Sequence, residues 1–189
     1  MNIGIMMSGT GSTYAAISQA IDENRISEGH IRRVISSKAS AGGLDLARQK
    51  GHPTLVVDVK NPEHHQQICD QFEQDNIDLV VMAGYMHLWK LDARFENKVI
   101  NIHPSLIPSF CGKGMYGHHI HRAVIHKGCK FSGCTVHLVD GEYDHGQIIE
   151  QRVVAVESTD TSEILASKIG ILEKSLLIEV IANWERIRP

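Results

Sequence analysis

The chain of 189 residues has no apolar run long enough for a membrane-spanning helix. Its first residues, Met1 to Ile5, have no basic segment ahead of the apolar positions, so we expect no signal peptide and a cytoplasmic location. Charge of one sign is also lacking, since 19 Lys and Arg oppose 22 Asp and Glu for a net charge of −3. That balance argues against nucleic acid as the main partner, but it leaves small phosphorylated or carboxylated ligands possible. The lack of a long apolar run argues against a membrane protein.

Cysteine is scarce, and no CxxC pair is present. The four cysteines are Cys69, Cys111, Cys129 and Cys134. With no signal peptide expected, this spacing predicts free thiols and neither a zinc site nor a disulfide framework. His118, His119 and His121 invite a metal interpretation, but no cysteine or carboxylate completes a recognised ligand spacing around them. A solvated, imidazole-rich loop is the favoured interpretation, and no metal is expected.

Strand and helix patterns alternate along the first hundred residues. Strands are predicted at 2–7, 31–36, 54–57, 77–83 and 98–102, and helices from about 12, 44 and 62. The nearly continuous apolar run at 77–83 is typical of a central parallel strand covered on both faces. This βαβ rhythm predicts an α/β fold with a doubly wound, mostly parallel, Rossmann-like sheet that binds ligands at the carboxyl ends of its strands.

The pattern changes after Gly117. A short helix at 118–126 precedes strands at 132–139 and 147–156, which are expected to form an antiparallel pair. A long C-terminal helix is predicted to begin with Asp160 as N-cap and Glu163 three residues on, as in a capping box. With 42% hydrophobic and 22% charged residues and no repeat or linker, the chain is expected to be one domain over residues 1–189.

The turn Ser8–Thr13 is rich in glycine and opens the first predicted helix, with Ser12 expected as N-cap. Free backbone amides and the positive end of the helix favour a phosphate there. The turn lacks the third glycine of a dinucleotide fingerprint and the lysine of a P-loop. The pattern therefore argues against a nicotinamide cofactor, and it leaves phosphate binding and an ordinary tight turn equally open.

Asn101, His103 and Asp144 form the most informative set in the chain. Asn101 and His103 are two residues apart, so in an extended segment both side chains leave the same face and could reach one carbonyl group. An amide, an imidazole and a carboxylate can together hold an oxyanion, donate a proton and accept one. The alternative is a surface histidine, a capping asparagine and a turn aspartate.

Two further features accompany this set. The segment Gly84–Trp89 follows the buried strand and places aromatic and thioether side chains at its carboxyl end, which suits a flat heteroaromatic ring. Core packing would explain the same segment, and the two interpretations are compatible. His137 lies on a strand face and is expected to be a packed, hydrogen-bonded core group rather than a metal ligand.

The chain resembles a known protein family over almost its whole length. Five sequence blocks and one further residue carry this resemblance. They are Ser8–Ser12, Met82–Met86, Asn101–Pro108, Ser132–His137, Tyr143–Ile149 and Glu173. In these residues the chain resembles the folate-dependent formyltransferases, and among them those that act on glycinamide ribonucleotide in purine (IMP) synthesis. The resemblance implies transfer of a formyl group from the co-substrate 10-formyltetrahydrofolate to an amine, without metal. The expected partners are these small molecules, and the assembly state is left open between monomer and homodimer.

The resemblance also implies roles for individual residues. Protonated His103 would stabilise the tetrahedral oxyanion and act as general acid, Asn101 would donate to the same oxygen, and Asp144 would keep His103 protonated and assist proton movement. The implied ribonucleotide contacts are Gly11, Ser12 and Thr13 at the phosphate and Glu173 at the glycinamide end. The implied folate contacts are Met86, His87, Leu88, Trp89, Asn101, Val139 and Asp140.

Departures from the family pattern concern the amine substrate. Position 13 is threonine where relatives usually have asparagine, and the loop Phe110–Gly117 with Lys113 looks longer than the commonest version. Other acceptors therefore remain open, namely water, a sugar amine or an aminoacyl-tRNA, as does a non-catalytic nucleotide-binding module. Hydrolases and tRNA formyltransferases are expected to carry an extra domain for which this chain has no room, which favours the ribonucleotide.

Overall fold

The computed structural model describes all 189 residues, which form two compact units, one of residues 1–100 with Pro189 and one of residues 101–188. In the first unit, the strands are β1 (Asn2–Met7), β2 (His30–Ser36), β3 (Thr54–Val56) and β4 (Leu79–Met82). The helices are α1 (Ser12–Asp22), α2 (Gly42–Gln49) and α3 (His64–Gln74), followed by a short 3₁₀ turn at Ala93–Phe95. Strand order is β3-β2-β1-β4, and the three pairings are parallel.

The core of the first unit follows from its sequence. Every residue of β4 is buried, and so are the five residues of β1 that follow Asn2. Parallel strands with helices on both faces have no solvent-exposed side, which is why these segments contain continuous apolar residues instead of an alternating pattern. The expected central strand at 77–83 is confirmed, although its regular part is shorter.

The second unit follows strand β5 (Val99–His103), which begins in the first unit. Its other elements are α4 (His118–Lys127), β6 (Phe131–Leu138), β7 (Ile148–Ala155), α5 (Ser162–Ala182) and α6 (Trp184–Ile187). Strand order is β5-β6-β7, and β6 and β7 pair antiparallel as predicted. The α/β fold class, with a mostly parallel sheet, an antiparallel C-terminal strand pair and a long C-terminal helix, is confirmed. None of the helices has the length and apolar character needed to span a membrane.

Two predicted helix caps are wrong by one residue. Helix α1 has Gly11, not Ser12, as its N-cap, with φ of 79° and no side-chain cap bond. Helix α5 has Thr161, not Asp160, as its N-cap, because the Thr161 hydroxyl accepts from the backbone N–H of Ile164. The Asp160 carboxylate instead accepts from Lys168 Nζ at 2.7 Å, a bond across two helical turns that local sequence does not reveal.

Gly11 occupies a position that only glycine fits. Its φ is positive, and a Cβ atom there would overlap the Cα atom of Gly43 at the start of α2. We expect Gly11→Ala to lower the free energy of unfolding by more than the ~1–2 kcal/mol that left-handed backbone alone costs a side chain. Gly9→Ala in the same turn is the matched control, since a Cβ there meets no atom within 4 Å. Urea unfolding of both variants tests this, and equal midpoints would contradict it.

Candidate active site

Strand β5 places Asn101 and His103 two residues apart, with the His103 ring almost fully buried at 4% exposure. His103 Nε2 lies 2.9 Å from the carbonyl oxygen of Phe110, and Nδ1 lies 3.3 Å from Asp144 Oδ2. Since a carbonyl oxygen and an ionised carboxylate can only accept, both ring nitrogens face acceptors and the imidazolium form is favoured. Burial alone would lower the pKa of His103, but the hydrogen bond and charge of Asp144, aided by the Phe110 carbonyl, raise that pKa above its ordinary value.

Asp144 reaches His103 from the loop between β6 and β7. Its backbone has φ of 54°, in the left-handed region that aspartate tolerates better than most residues. Its Oδ2 also accepts from the backbone N–H of Gly112 at 2.9 Å. Burial alone would raise the pKa of Asp144, yet the hydrogen bond and charge of His103, together with the Gly112 N–H, hold that pKa below its ordinary value. An ionised carboxylate beside an imidazolium is the expected state at neutral pH.

His137 belongs to the same cluster, which the sequence did not indicate. Its Nδ1 lies 2.7 Å from the carbonyl oxygen of Leu138, so Nδ1 carries the proton and donates. Its Nε2 lies 3.1 Å from Asn101 Nδ2 and 3.8 Å from Asp144 Oδ1. Burial lowers the pKa of His137, so the ring is neutral and Nε2 accepts one of the two Asn101 N–H bonds. The expectation of a packed, hydrogen-bonded histidine is confirmed. Its side-chain partner is Asn101, a residue of the candidate site.

Glu173, on α5, adds a second carboxyl group to this unit. Its side chain is half-buried, and burial raises its pKa to about 7 against the opposing positive charges of His103 and Lys174. The charge of Glu173 in turn helps to raise the pKa of His103. This carboxyl group therefore exchanges its proton near neutral pH, unlike an ordinary surface glutamate.

The loop that carries Asp144 also contains Val139, which is half-buried, and Asp140, which is exposed. Asp140 Oδ2 pairs with His145 Nδ1 at 2.6 Å, and Asp140 Oδ1 accepts from the backbone N–H of Glu142. The hydrogen bond and charge of Asp140 raise the pKa of His145. The pairing of Asp140 with His145, the residue after Asp144, thus closes the turn.

The other predicted site residues lie in the first unit, where two turns are joined. Gly11, Ser12 and Thr13 form the start of α1. The Ser8 N–H donates to the carbonyl of Gly84, and the Ser8 hydroxyl accepts from the N–H of Met86 at 3.1 Å. The carboxyl ends of β1 and β4 therefore present the glycine-rich turn and the segment after Gly84 side by side.

Within that segment the side chains differ in exposure. Met86 is 45% exposed, and His87 and Leu88 are half-buried. The Trp89 ring is buried against Phe72 and Phe95, with ring centroids 5.9 Å and 5.8 Å away. Trp89 thus packs in the core beneath the segment, which fits the core-packing interpretation for this one residue.

The histidines near residue 120 do not form a solvated loop. They belong to the first turn of α4, where His118 is exposed, His119 is half-buried and His121 is buried, so the loop interpretation is wrong. Burial, together with the charge of His103, lowers the pKa of His121. No group of three or more His, Cys, Asp or Glu side chains is arranged to hold a metal ion. Lys113, in the preceding loop, is exposed.

The family follows from comparison with known proteins. A family model described as formyl transferase matches residues 1–181. The chain therefore belongs to the formyl transferase family.

Comparison with individual proteins shows which formyl transferases this chain is similar to. The chain is 36% identical over 185 residues to the chloroplastic phosphoribosylglycinamide formyltransferase of Vigna unguiculata, an alignment that covers 95% of this chain and 59% of the plant protein. The chain thus spans less than two thirds of that relative. The crystal structure of phosphoribosylglycinamide formyltransferase from Bacillus halodurans is similar with a TM-score of 0.89 at 29% identity, covering 98% of this chain and 96% of the other. Glycinamide ribonucleotide transformylase 1 from Symbiobacterium toebii is similar with a TM-score of 0.88 at 34% identity, covering 97% and 87%.

Proposed function

We propose that this chain transfers a formyl group from 10-formyltetrahydrofolate to the amine of glycinamide ribonucleotide, a step of de novo purine (IMP) synthesis. Membership of the formyl transferase family and the names of the relatives support the substrates. The observation that carries the chemistry is the buried His103 ring, held in its charged form by Asp144 and placed on the same strand as Asn101. A buried cation beside an amide donor suits an oxyanion that forms in the transition state.

His103 and Asn101 are proposed to stabilise the tetrahedral intermediate. The amine nitrogen bonds to the formyl carbon, and the C=O π pair moves onto oxygen. The His103 bond to Asp144 is long at 3.3 Å, so Nδ1–H can be shared with the new oxyanion. Asn101 has one N–H held by His137 and a second N–H free to donate to the same oxygen.

Asp144 is proposed to move the protons that balance the reaction. The attacking amine loses one proton, which Asp144 accepts through water. Collapse of the intermediate re-forms the C=O bond and breaks the bond to N10 of the folate, and N10 takes up a proton for which His103 is the general acid. The raised pKa of His103 and the lowered pKa of Asp144 favour the protonation states that these roles need.

Contacts with the two substrates are proposed residue by residue from the family resemblance. Gly11, Ser12 and Thr13 would bind the phosphate through the N-terminal end of α1, as helix N-termini do. Glu173 would bind the glycinamide end. The proposed folate contacts are Met86, His87, Leu88, Val139 and Asp140, with Asn101 at the formyl group and Trp89 packed beneath the segment.

We further propose one formyltransferase domain over residues 1–189, in keeping with a family match to residues 1–181. Small-molecule substrates are the proposed partners, and no nucleic acid, membrane or metal is proposed. The net charge of −3 supports the exclusion of nucleic acid. We also propose that the protein is cytoplasmic and that it is a monomer or a homodimer. Light scattering after size-exclusion chromatography distinguishes the two assembly states.

A formyl-transfer assay tests the proposed reaction. Purified protein, 10-formylfolate donor and glycinamide ribonucleotide are mixed, and the absorbance of deformylated folate is followed. We expect turnover that requires the ribonucleotide, with no signal in reactions that lack it or contain a sugar amine. Turnover without any acceptor would show a hydrolase, and absence of turnover under all conditions would reject formyl transfer.

Glu173→Gln is expected to raise KM for glycinamide ribonucleotide by about 10- to 100-fold, since a hydrogen bond to a charged group contributes about 1.5–3 kcal/mol. The KM for the folate donor should stay within about twofold, because Glu173 is assigned to the amine substrate. Glu179→Gln is the matched control, since Glu179 lies on the same helix but is exposed and pairs with Arg152. Steady-state kinetics with each substrate varied in turn gives the answer, and equal KM values for the two variants would remove Glu173 from the ribonucleotide site.

A further inference from the structure

The Phe110 carbonyl, which accepts from His103 Nε2, is held in an unusual backbone conformation. Phe110 has φ of 52°, a left-handed value that is uncommon for a bulky side chain and costs roughly 1–3 kcal/mol. A residue keeps such a conformation only when its surroundings fix it. The neighbouring contacts should therefore show what aims this carbonyl at His103.

Ser105 supplies the nearest of these contacts. Its side chain is buried at 1% exposure, in the turn just after β5. Its hydroxyl donates to the carbonyl of Ser109 at 2.6 Å and, more weakly, to the carbonyl of Phe110 at 3.3 Å. One hydroxyl therefore reaches both carbonyls at the end of the turn, including the one that faces His103.

Strands β6 and β7 anchor the beginning of the same turn. The Thr135 hydroxyl donates to the carbonyl of Ser105 at 2.7 Å and accepts from the N–H of Ile107 at 3.1 Å. Gln151 Nε2 donates to the Thr135 hydroxyl at 2.9 Å and to the carbonyl of Ile107 at 3.1 Å. Thr135 and Gln151 are paired in register across β6 and β7, so the sheet itself fixes where the turn begins.

We propose that Ser105 is a positioning residue for formyl transfer, which fixes the Phe110 carbonyl as the second acceptor for the His103 imidazolium, with Thr135 and Gln151 as its support. With Nε2 held by this carbonyl, the ring presents Nδ1 to Asp144 and to the reacting oxygen. The effect on the rate rests on the proposed function, whereas the effect on the His103 ring does not. None of these three side chains is proposed to contact the reacting atoms.

The test measures His103 directly. The imidazole resonances of His103, identified by their loss in His103→Gln, are titrated by NMR in the wild type and in Ser105→Ala. Because the Phe110 carbonyl helps to raise the pKa of His103, the Ser105→Ala protein should titrate at lower pH. The loss of kcat on the alkaline side of its pH profile should also occur at lower pH. At neutral pH, kcat should fall about two- to tenfold, with the KM for folate unchanged.

Two further substitutions separate positioning from general destabilisation. Thr135→Val removes the supporting hydroxyl and should reproduce the shift, whereas Thr135→Ser keeps the hydroxyl and should restore the wild-type titration. Ser132→Ala is the matched control, because Ser132 is buried on the same strand and its hydroxyl has no hydrogen-bond partner. If Ser105→Ala fails to fold, Thr135→Val and Thr135→Ser decide the matter.

The outcomes distinguish this proposal from the proposed function. A His103 titration unchanged in both Ser105→Ala and Thr135→Val overturns the positioning role, even if the wild type transfers formyl groups. A shift in Ser132→Ala as large as that in Ser105→Ala also overturns it. A shift confined to Ser105→Ala and Thr135→Val in a protein without formyl-transfer activity supports the positioning of His103 and rejects the proposed reaction.

Discussion

His103→Ala is expected to lower kcat for formyl transfer by about 10²–10⁴-fold, the range over which a positioned acid or base contributes. The substitution removes the proposed general acid and the proposed cation for the oxyanion, and it leaves Asn101 as the remaining proposed donor. Asn101 keeps its link to His137, so some oxyanion stabilisation survives and the loss should be incomplete.

The measurement is kcat at saturating concentrations of both substrates, with circular dichroism to confirm the fold. His126→Ala is the matched control, because His126 is an exposed histidine near the end of α4. It should retain wild-type turnover. A His103→Ala protein that kept more than about a tenth of the wild-type kcat would exclude His103 as general acid.

Asp144→Asn is expected to lower kcat by about 10²–10³-fold at neutral pH, comparable to the loss of one preorganised electrostatic partner. Two effects contribute. The amide cannot accept the proton that Asp144 is proposed to take from the amine, and it lacks the negative charge that raises the pKa of His103. Without that charge, burial dominates and the pKa of His103 falls.

The same substitution should reshape the pH profile. In the wild type, activity that needs protonated His103 is present at low pH and is lost as pH rises through the raised pKa of His103. In Asp144→Asn this alkaline loss should occur at lower pH. Glu150→Gln, which removes an exposed carboxylate from β7, should leave the pH of this alkaline loss unchanged. If the alkaline loss of Asp144→Asn coincided with that of the wild type, Asp144 could not be the group that keeps His103 protonated.

The two linked contributions to stability both favour the folded state, but they depend on pH in opposite directions. The lowered pKa of Asp144 stabilises the folded state above the pKa of an unfolded aspartate, and this contribution is lost as pH falls through the lowered value. The raised pKa of His103 stabilises the folded state below the pKa of an unfolded histidine, and this contribution is lost as pH rises through the raised value. The pair therefore stabilises the fold most at pH values between the pKa of an unfolded aspartate and the pKa of an unfolded histidine.

Local sequence patterns predicted the elements that carry the site. The period of two in an extended strand placed Asn101 and His103 on one face, and the alternating patterns after Gly117 predicted the antiparallel pair β6 and β7. The contact of Asp144 with His103 was expected only from the family resemblance. The structure shows that contact at 3.3 Å, while the catalytic roles of these residues stay predictions.

What the sequence did not reveal depends on contacts between distant segments. His137 meets Asn101 because β6 lies beside β5, an order that no local pattern encodes. Gly11 caps α1 because the start of α2 approaches it closely, so the polar Ser12 was the wrong choice. The Ser105 hydroxyl meets the carbonyls of Ser109 and Phe110 because the turn folds back on itself, which local sequence does not encode.

Strand β7 lies at the end of the strand order β5-β6-β7, and this edge position limits how the protein tolerates heat. Edge strands lack a neighbour on one side and tend to open before central ones. If β7 frayed, Gln151 would withdraw from Thr135 and from the turn after β5, and the His103 ring would lose part of its proposed support. Catalytic competence would therefore fail as a local melting event, ahead of the cooperative unfolding of the chain.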